Sequence, residues 1–407
     1  MPYIDLKKLY YADKEAYEQT YHQRFHGDGA IHLDFEVSGY PAFFLQTDDV
    51  VFLLNQILKL DKEIALLCNH LPGKALAQYA RKCLIDEIVI TNNIEGVYSS
   101  RKEIGEALAL FEKQSQHKGK AVKFLGIVNK YAKLTENEYV SLDTCQDIRN
   151  LYDALVLQEV MAESKNNLPD GQIFRKEMSE VYAPSGKSIH KGLYPETKII
   201  TAMEKALKVL HDDSVLPLFR ICIFHYLLEY IHPFYDGNGR LGRFILSYCM
   251  AGQLEHLSAL RISSTIKENI SKYYKAFSTC NDRKNRADMT PFLITMLELI
   301  CATEEELLSS LESRRERWEQ YENQIPLVFK PKNEKEADLY SVLIQAALFS
   351  EQGVPTKGLL SILQTTHTTL KVKLDRLKKQ GFLIETKRGN EKYYQMNLSQ
   401  LDAAVQS

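Results

Sequence analysis

The stretch that decides the reading is His232–Arg243, HPFYDGNGRLGR. Pro217 is well placed as the first residue of a helix running to about Ile231, Pro233 stops that helix, and Gly237, Asn238 and Gly239 form a loop before a second helix from about Arg240 to Gln253. Glycines ahead of a helix N-terminus let backbone N–H groups converge on an anion, and the helix dipole adds partial positive charge there. Arg240 and Arg243 are three apart and share a helix face. Two guanidiniums beside such a nest suit a polyphosphate. Asp236 at the mouth suits Mg²⁺ held against phosphate oxygens, and His232 is the one group in the string that titrates near neutrality. Nucleotide, metal and base together make a set for transfer at phosphorus. A tight interhelical turn would explain the glycines, but not a His, an Asp and two Arg on one loop.

HPFYDGNGRLGR resembles the signature of the Fic domain, HPFx(D/E)GNGRxxR, at every fixed position. The resemblance implies a mainly helical fold with a short β-hairpin flap, and transfer of AMP from ATP to a hydroxyl of a target protein. It implies that His232 deprotonates the target Ser, Thr or Tyr and that Asp236 binds the metal bridging the α- and β-phosphates. Gly237, Asn238 and Gly239 would form the anion nest, with Arg240 on the β-phosphate and Arg243 on the γ-phosphate. Leu241 and Gly242 complete the ATP-binding string, and Phe234 anchors the loop in the core. In Fic relatives that phosphorylate, the glycine-arginine pattern is altered, so the intact GNGR favours AMP transfer.

Further pieces resemble the same family. Tyr273, Tyr274 and Asn281 resemble its adenine-side residues, although an amphipathic helix would also place two tyrosines there. Asp288–Phe292, DMTPF, resembles a later helix start with a structural role. The 181–189 segment sits where the family carries its flap, with Val181, Tyr182 and Ala183 as the edge that would hold a target segment by main-chain pairing. TNNIEG at 91–96 resembles the family's inhibitory motif, (S/T)xxxE(G/N). Thr91 and Glu95 share a helix face, and Gly96 suits a C-cap. The implied pair is Glu95 with Arg243, which would divert that arginine from the γ-phosphate. In some members the same Glu orients water to remove AMP. The plainer alternative is a helix end with an exposed Glu.

Outward from the motif, helical periodicity dominates. Residues 48–70, 74–95, 101–113, 120–164 (broken near 135–141) and 197–212 read as helices. QIFRKEMSEVYAPSGKSIHKGLYPE at 172–196 has no helical stripe and a Pro184-Ser185-Gly186 turn, which predicts a short hairpin. The charged stretch 303–323 reads as a long solvated helix, and IPLVFKPKN at 325–333, with Pro326 and Pro331, as an extended linker. The expected domains are a helical N-terminal region at 1–85, a Fic domain with its inhibitory helix at 86–310, a linker at 311–333 and a small module at 334–400.

That module has the pattern of a winged helix. Three helices (334–349, 356–363 and about 366–380) precede two strands around an Arg388-Gly389-Asn390 turn. Between 354 and 397 there are nine Lys and Arg (Lys357, Lys371, Lys373, Arg376, Lys378, Lys379, Lys387, Arg388 and Lys392) against Asp375, Glu385 and Glu391. The local surplus suits DNA phosphates; a protein-docking winged helix is the alternative, and phosphate-facing cations carry no base information. A rival whole-chain reading follows: a DNA-binding regulator whose Fic domain only senses nucleotide. The intact His232 favours the enzyme.

In the full 407 residues, 51 Lys and Arg against 53 Asp and Glu exclude a uniformly basic protein, and 45% hydrophobic content excludes wholesale disorder. The longer uncharged runs, such as Phe244–Leu254 and Leu339–Ser350, are far short of a membrane span. Seven scattered cysteines with no CxxC read as buried thiols in a reducing compartment, which predicts a cytoplasmic protein. The expected partners are ATP, Mg²⁺ and a target protein, with no membrane; a homodimer is left open.

Overall fold

The computed structural model describes residues 3–112, 123–136, 138–182, 188–388 and 391–406. Two compact units divide the chain: residues 1–62 with 84–305, and residues 63–83 with 306–407. Three helices cross these boundaries along the chain.

The first unit opens with α1 (Leu6–Ala12), α2 (Lys14–His26), β1 (Ala30–Val37) and β2 (Tyr40–Leu45), followed by α3 (Asp48–His70) and α4 (Gly73–Ile94). Next come α5 (Arg101–Glu112), α6 (Leu125–Thr135), α7 (Cys145–Leu155) and α8 (Leu157–Glu163). The flap strands β3 (Glu180–Tyr182) and β4 (Ser188–Lys191) lead to α9 (Glu196–Leu210), α10 (Pro217–Ile231) and α11 (Asn238–Ala251). Short helices α12 (His256–Ala259) and α13 (Ile262–Glu268) precede α14 (Ile270–Asn281) and α15 (Thr290–Val328). Helix α10 is largely apolar and mostly buried, with His225 and Glu229 as polar groups on it. Eleven of its fifteen residues, from Leu218 to Ile231, are buried.

The helical region expected over 1–85 also contains β1 and β2, an antiparallel hairpin that the sequence reading did not include. Ser38 and Gly39 both take positive φ (54° and 84°), the two-residue turn whose twist matches paired strands. Phe43, fully buried on β2, also exchanges main-chain bonds with Ala287 and Met289. A Ser-Gly turn between alternating segments was the available signal.

The second unit holds α16 (Glu334–Phe349), β5 (Val354–Pro355), α17 (Thr356–Leu363), α18 (His367–Lys379), β6 (Leu383–Arg388), β7 (Glu391–Met396) and α19 (Leu398–Gln406). Its sheet is antiparallel in the order β5-β7-β6; residues 389 and 390 of the expected turn lie outside the described residues. The extended linker expected at 325–333 is also corrected. Helix α15 continues through Pro326 to Val328. Tyr321 and Ile325 are buried at four-residue spacing, and Phe329 stacks on Tyr340 at 4.3 Å. Burial of that stripe outweighs the missing proline N–H. The solvated reading of 303–323 holds for one face only, since Thr303, Glu304, Leu307, Leu311 and Tyr321 are buried.

Five of the seven cysteines are buried, with Cys68 and Cys249 partly exposed. Among the described residues no helix is long and apolar enough to cross a membrane.

Candidate active site

Helix α10 ends at His232, whose backbone turns left-handed (φ 51°, ψ 64°). That turn aims the chain into the loop instead of another helical step. Phe234 is fully buried, stacked on Tyr152 with ring centroids 3.6 Å apart and edge-on to Phe174. Asn238 closes the loop on itself: its Oδ1 accepts from the Phe234 N–H at 2.9 Å and its Nδ2 donates to the Phe234 carbonyl at 2.8 Å. The asparagine side chain is thus a clamp, and only its backbone is left for the nest. Gly237, at φ 79°, is the left-handed residue that starts α11.

Asp236 accepts from the Gly237 N–H at 2.6 Å and lies 3.8 Å from Arg240 Nη2. Arg240 is buried, yet its Nε and Nη2 have no hydrogen-bond partner among the described residues. A buried guanidinium with unpaired donors beside a helix N-terminus is chemistry suited to an anion. Leu241 turns into the core, and Gly242 packs against Glu229 and His225.

Arg243 is also buried, but it is occupied. Its Nε donates to Thr91 Oγ1 at 2.8 Å, and its Nη2 donates to the Thr91 carbonyl at 3.1 Å and to Glu95 Oε1 at 2.8 Å. Glu95 sits at the end of α4, where Gly96 takes φ 75° as the chain leaves the helix. A Cβ added to Gly239 would collide with the Glu95 carboxylate. A carboxylate of the chain itself therefore lies across the first turn of α11, where the dipole favours an anion. Burial works against the Arg243 charge, but Glu95, Tyr273 and Glu229 more than offset it and hold its pKa above the usual value.

Beneath this pair is a polar layer that the sequence reading missed. Burial pushes Glu229 up to about 8, with the Glu95 charge adding to the effect. Burial pushes Glu87 up to about 7, against the hydrogen bonds it accepts from Ser263. His225 falls to about 3 through burial and the Arg243 charge. Its Nε2 lies 2.7 Å from the Tyr273 hydroxyl. Tyr273 is consequently buried in this layer, whereas Tyr274 is about one-third exposed. Asn281 accepts from the Tyr226 hydroxyl at 2.6 Å and its Nδ2 is 3.5 Å from His190 Nδ1, so its side chain is already engaged.

Burial lowers His232 to about 3, with His190 and Arg175 adding to the effect. The imidazole is neutral at physiological pH, the form a base requires. Its Nδ1 has no hydrogen-bond partner among the described residues. Arg175, also missed, donates from Nε to the His232 carbonyl at 2.9 Å and from Nη2 to the Leu193 carbonyl at 2.8 Å. The flap strands β3 and β4 pair antiparallel, with Val181 opposite His190 and Tyr182 opposite Ser188. Ala183 lies outside the described residues.

Residues 142–250 match the Fic/DOC family. The chain is 25% identical over 258 residues to the protein adenylyltransferase Fic of Drosophila virilis and 26% to that of Drosophila ananassae. Each match covers 61% of this chain and 48% or 47% of the relative, so the chain spans about half the length of the curated relatives it matches. A crystal structure of a Fic family protein from Desulfovibrio desulfuricans G20 shares the fold, with a TM-score of 0.53, 19% identity, and coverage of 86% of this chain and 96% of that one. The histidine loop, with the left-handed turn at its first residue, and α11 as far as Met250 fall inside the matched segment, and the chain carries a Fic/DOC-family domain over residues 142–250.

Proposed function

We propose that this chain is a protein adenylyltransferase, moving AMP from ATP to a Ser, Thr or Tyr hydroxyl of a target protein and of itself, held in check by Glu95. The observation that carries the reading is Arg240, buried in the first turn of α11 with donors unpaired among the described residues, just past the loop that opens on a neutral His232. Phosphates of ATP would satisfy those donors and the first backbone N–H groups of α11. His232 takes the proton of the target hydroxyl as its oxygen attacks the α-phosphorus. The bond to the β-phosphate oxygen breaks, and pyrophosphate leaves with its charge held by Arg240 and Arg243. Asp236 fits one ligand of a Mg²⁺ whose other ligands are phosphates and water, which would neutralise the developing charge. The test is label transfer to protein from α-labelled against γ-labelled ATP. Label from the α-position supports AMP transfer; label only from the γ-position means phosphorylation, and nucleotide retained without transfer means a sensor.

We read residues 334–400 as a winged helix that binds DNA phosphates. The supporting observation is α18, which exposes Lys371, Lys379 and Val372 on its outer side. Part of the basic surplus is internally spent: Arg376 pairs with Glu336, and Lys378 and Lys392 with Glu385 at 3.5 and 3.1 Å. Affinity for DNA should fall steeply with salt through counterion release. Charge reversal at Lys371 and Lys379 should weaken it on every sequence, measured by fluorescence anisotropy with the full chain. Absence of binding even at low salt assigns the module to protein docking.

A further inference from the structure

Three consecutive carbonyls at the end of α10 are each captured by the base of the flap. The Ile231 carbonyl accepts from the Leu193 N–H at 3.1 Å, the His232 carbonyl from Arg175 Nε at 2.9 Å, and the Pro233 carbonyl from the Arg175 N–H at 3.2 Å. The rest of the same guanidinium donates to the Glu177 carbonyl at 2.5 Å, just before β3, and to the Leu193 carbonyl at 2.8 Å, just after β4. Arg175 is fully buried, and no carboxylate pairs with it among the described residues. Burying an unpaired cation is costly. The carbonyl dipoles of three separate segments offset that cost, and a planar fork of donors suits three directions at once, as a lysine would not.

What the arginine secures is unusual backbone. His232 is left-handed, a conformation that a residue with a Cβ avoids unless its surroundings impose it. Gly192, immediately before Leu193, leaves room for the guanidinium: a Cβ there would run into Arg175 Nη2 and stand 3.0 Å from the His232 Cβ.

We propose that Arg175 is a positioning residue for His232: its guanidinium holds the left-handed turn that presents the imidazole, and ties that turn to both ends of the flap that would hold the target. The proposal rests on the AMP-transfer reading for its turnover assay, though not for its second readout. The titratable and charged groups that bear on the imidazole are His190 from β4 and Arg175; the backbone carbonyl of Glu229 on its own helix acts the other way. A cation close by disfavours imidazolium, so removing it should raise the pH at which His232 protonates.

The experiment compares R175Q, R175K and G192A, each in an E95G background, with folding followed by thermal unfolding and ATP affinity by calorimetry. R175Q should lose about ten- to a hundred-fold in turnover, with ATP affinity within about threefold, and the acidic limb of its kcat/KM profile should move to higher pH. R175K and G192A keep the charge but lose the fork or displace it. Both should lose turnover with the limb unmoved. The second readout is NMR titration of the ring-labelled His232 imidazole, assigned as the signal missing in His232→Asn; it should shift upward in R175Q alone. If the E95G parent transfers no AMP, the proposed reaction fails and the titration still decides the role of Arg175. Turnover near the parent's in folded R175Q, or an unmoved imidazole titration, overturns the proposal. If R175Q does not fold, parent-like turnover in R175K and G192A does the same.

Discussion

His232→Ala should abolish AMP transfer while leaving nucleotide binding largely intact. Removing a general base typically costs about 10²–10⁴-fold. The groups proposed to face the phosphates are elsewhere, on Arg240 and the first turn of α11, so ATP affinity should change little. The Ala variant keeps the backbone that Arg175 and Leu193 hold through the carbonyls of residues 231–233, and loss of fold should not confuse the result. The measurement is label transfer from α-labelled ATP in a brake-free background, alongside calorimetric ATP binding. Transfer near the parent rate would mean that the target hydroxyl loses its proton elsewhere, and the base assignment would be withdrawn.

Glu95→Gly should raise adenylylation, including self-modification, by roughly ten- to a hundred-fold. The Glu95 carboxylate bonds Arg243 at 2.8 Å and overlies Gly239. In that arrangement the chain supplies its own anion to the helix N-terminus and its own partner to the second arginine. A charge-assisted hydrogen bond of this kind contributes on the order of 1.5–3 kcal/mol. Each 1.4 kcal/mol of preference for the closed state costs about tenfold in the competent fraction. Thr91 would still hold Nε and one N–H of Nη2 after the change, so the arginine stays near its place and the Nη2 N–H that Glu95 now takes is released for the γ-phosphate. Combining Glu95→Gly with His232→Ala should restore nothing, because release acts upstream of chemistry. Arg243→Ala should not mimic release, since it removes the phosphate contact with the brake. Equal rates for wild type and Glu95→Gly would reduce Glu95 to a carboxylate at a helix end.

Contiguity explains what could be read. HPFYDGNGRLGR is local: a helix stop, a glycine loop and a helix start are written in twelve adjacent residues, and each acts through its own backbone. The TNNIEG motif is equally local in form, but the arginine that Glu95 pairs with is 148 residues away, and only its likeness to a family linked the two. Asn238 belongs to the motif, yet its use as a clamp on Phe234 depends on how the loop closes. The β1–β2 hairpin carried a readable Ser-Gly turn. The helical run through Pro326 did not, because burial of Tyr321 and Ile325 overrode local propensity.

The sequence by itself determined that helices dominate, where the histidine loop begins and ends, and which residues on it carry charge. Those properties depend on side-chain chemistry and on backbone preferences over a few residues. Only the tertiary structure decided the state of those charges. Arg240 is left with idle donors while Arg243 is taken by Glu95 and Thr91. Glu229, Glu87 and His225 are pushed toward their neutral forms by burial, and Arg175 reaches the His232 carbonyl from 57 residues upstream. Desolvation and pairing depend on what surrounds a group in space, and segments remote in the chain supply those surroundings only once the core has closed.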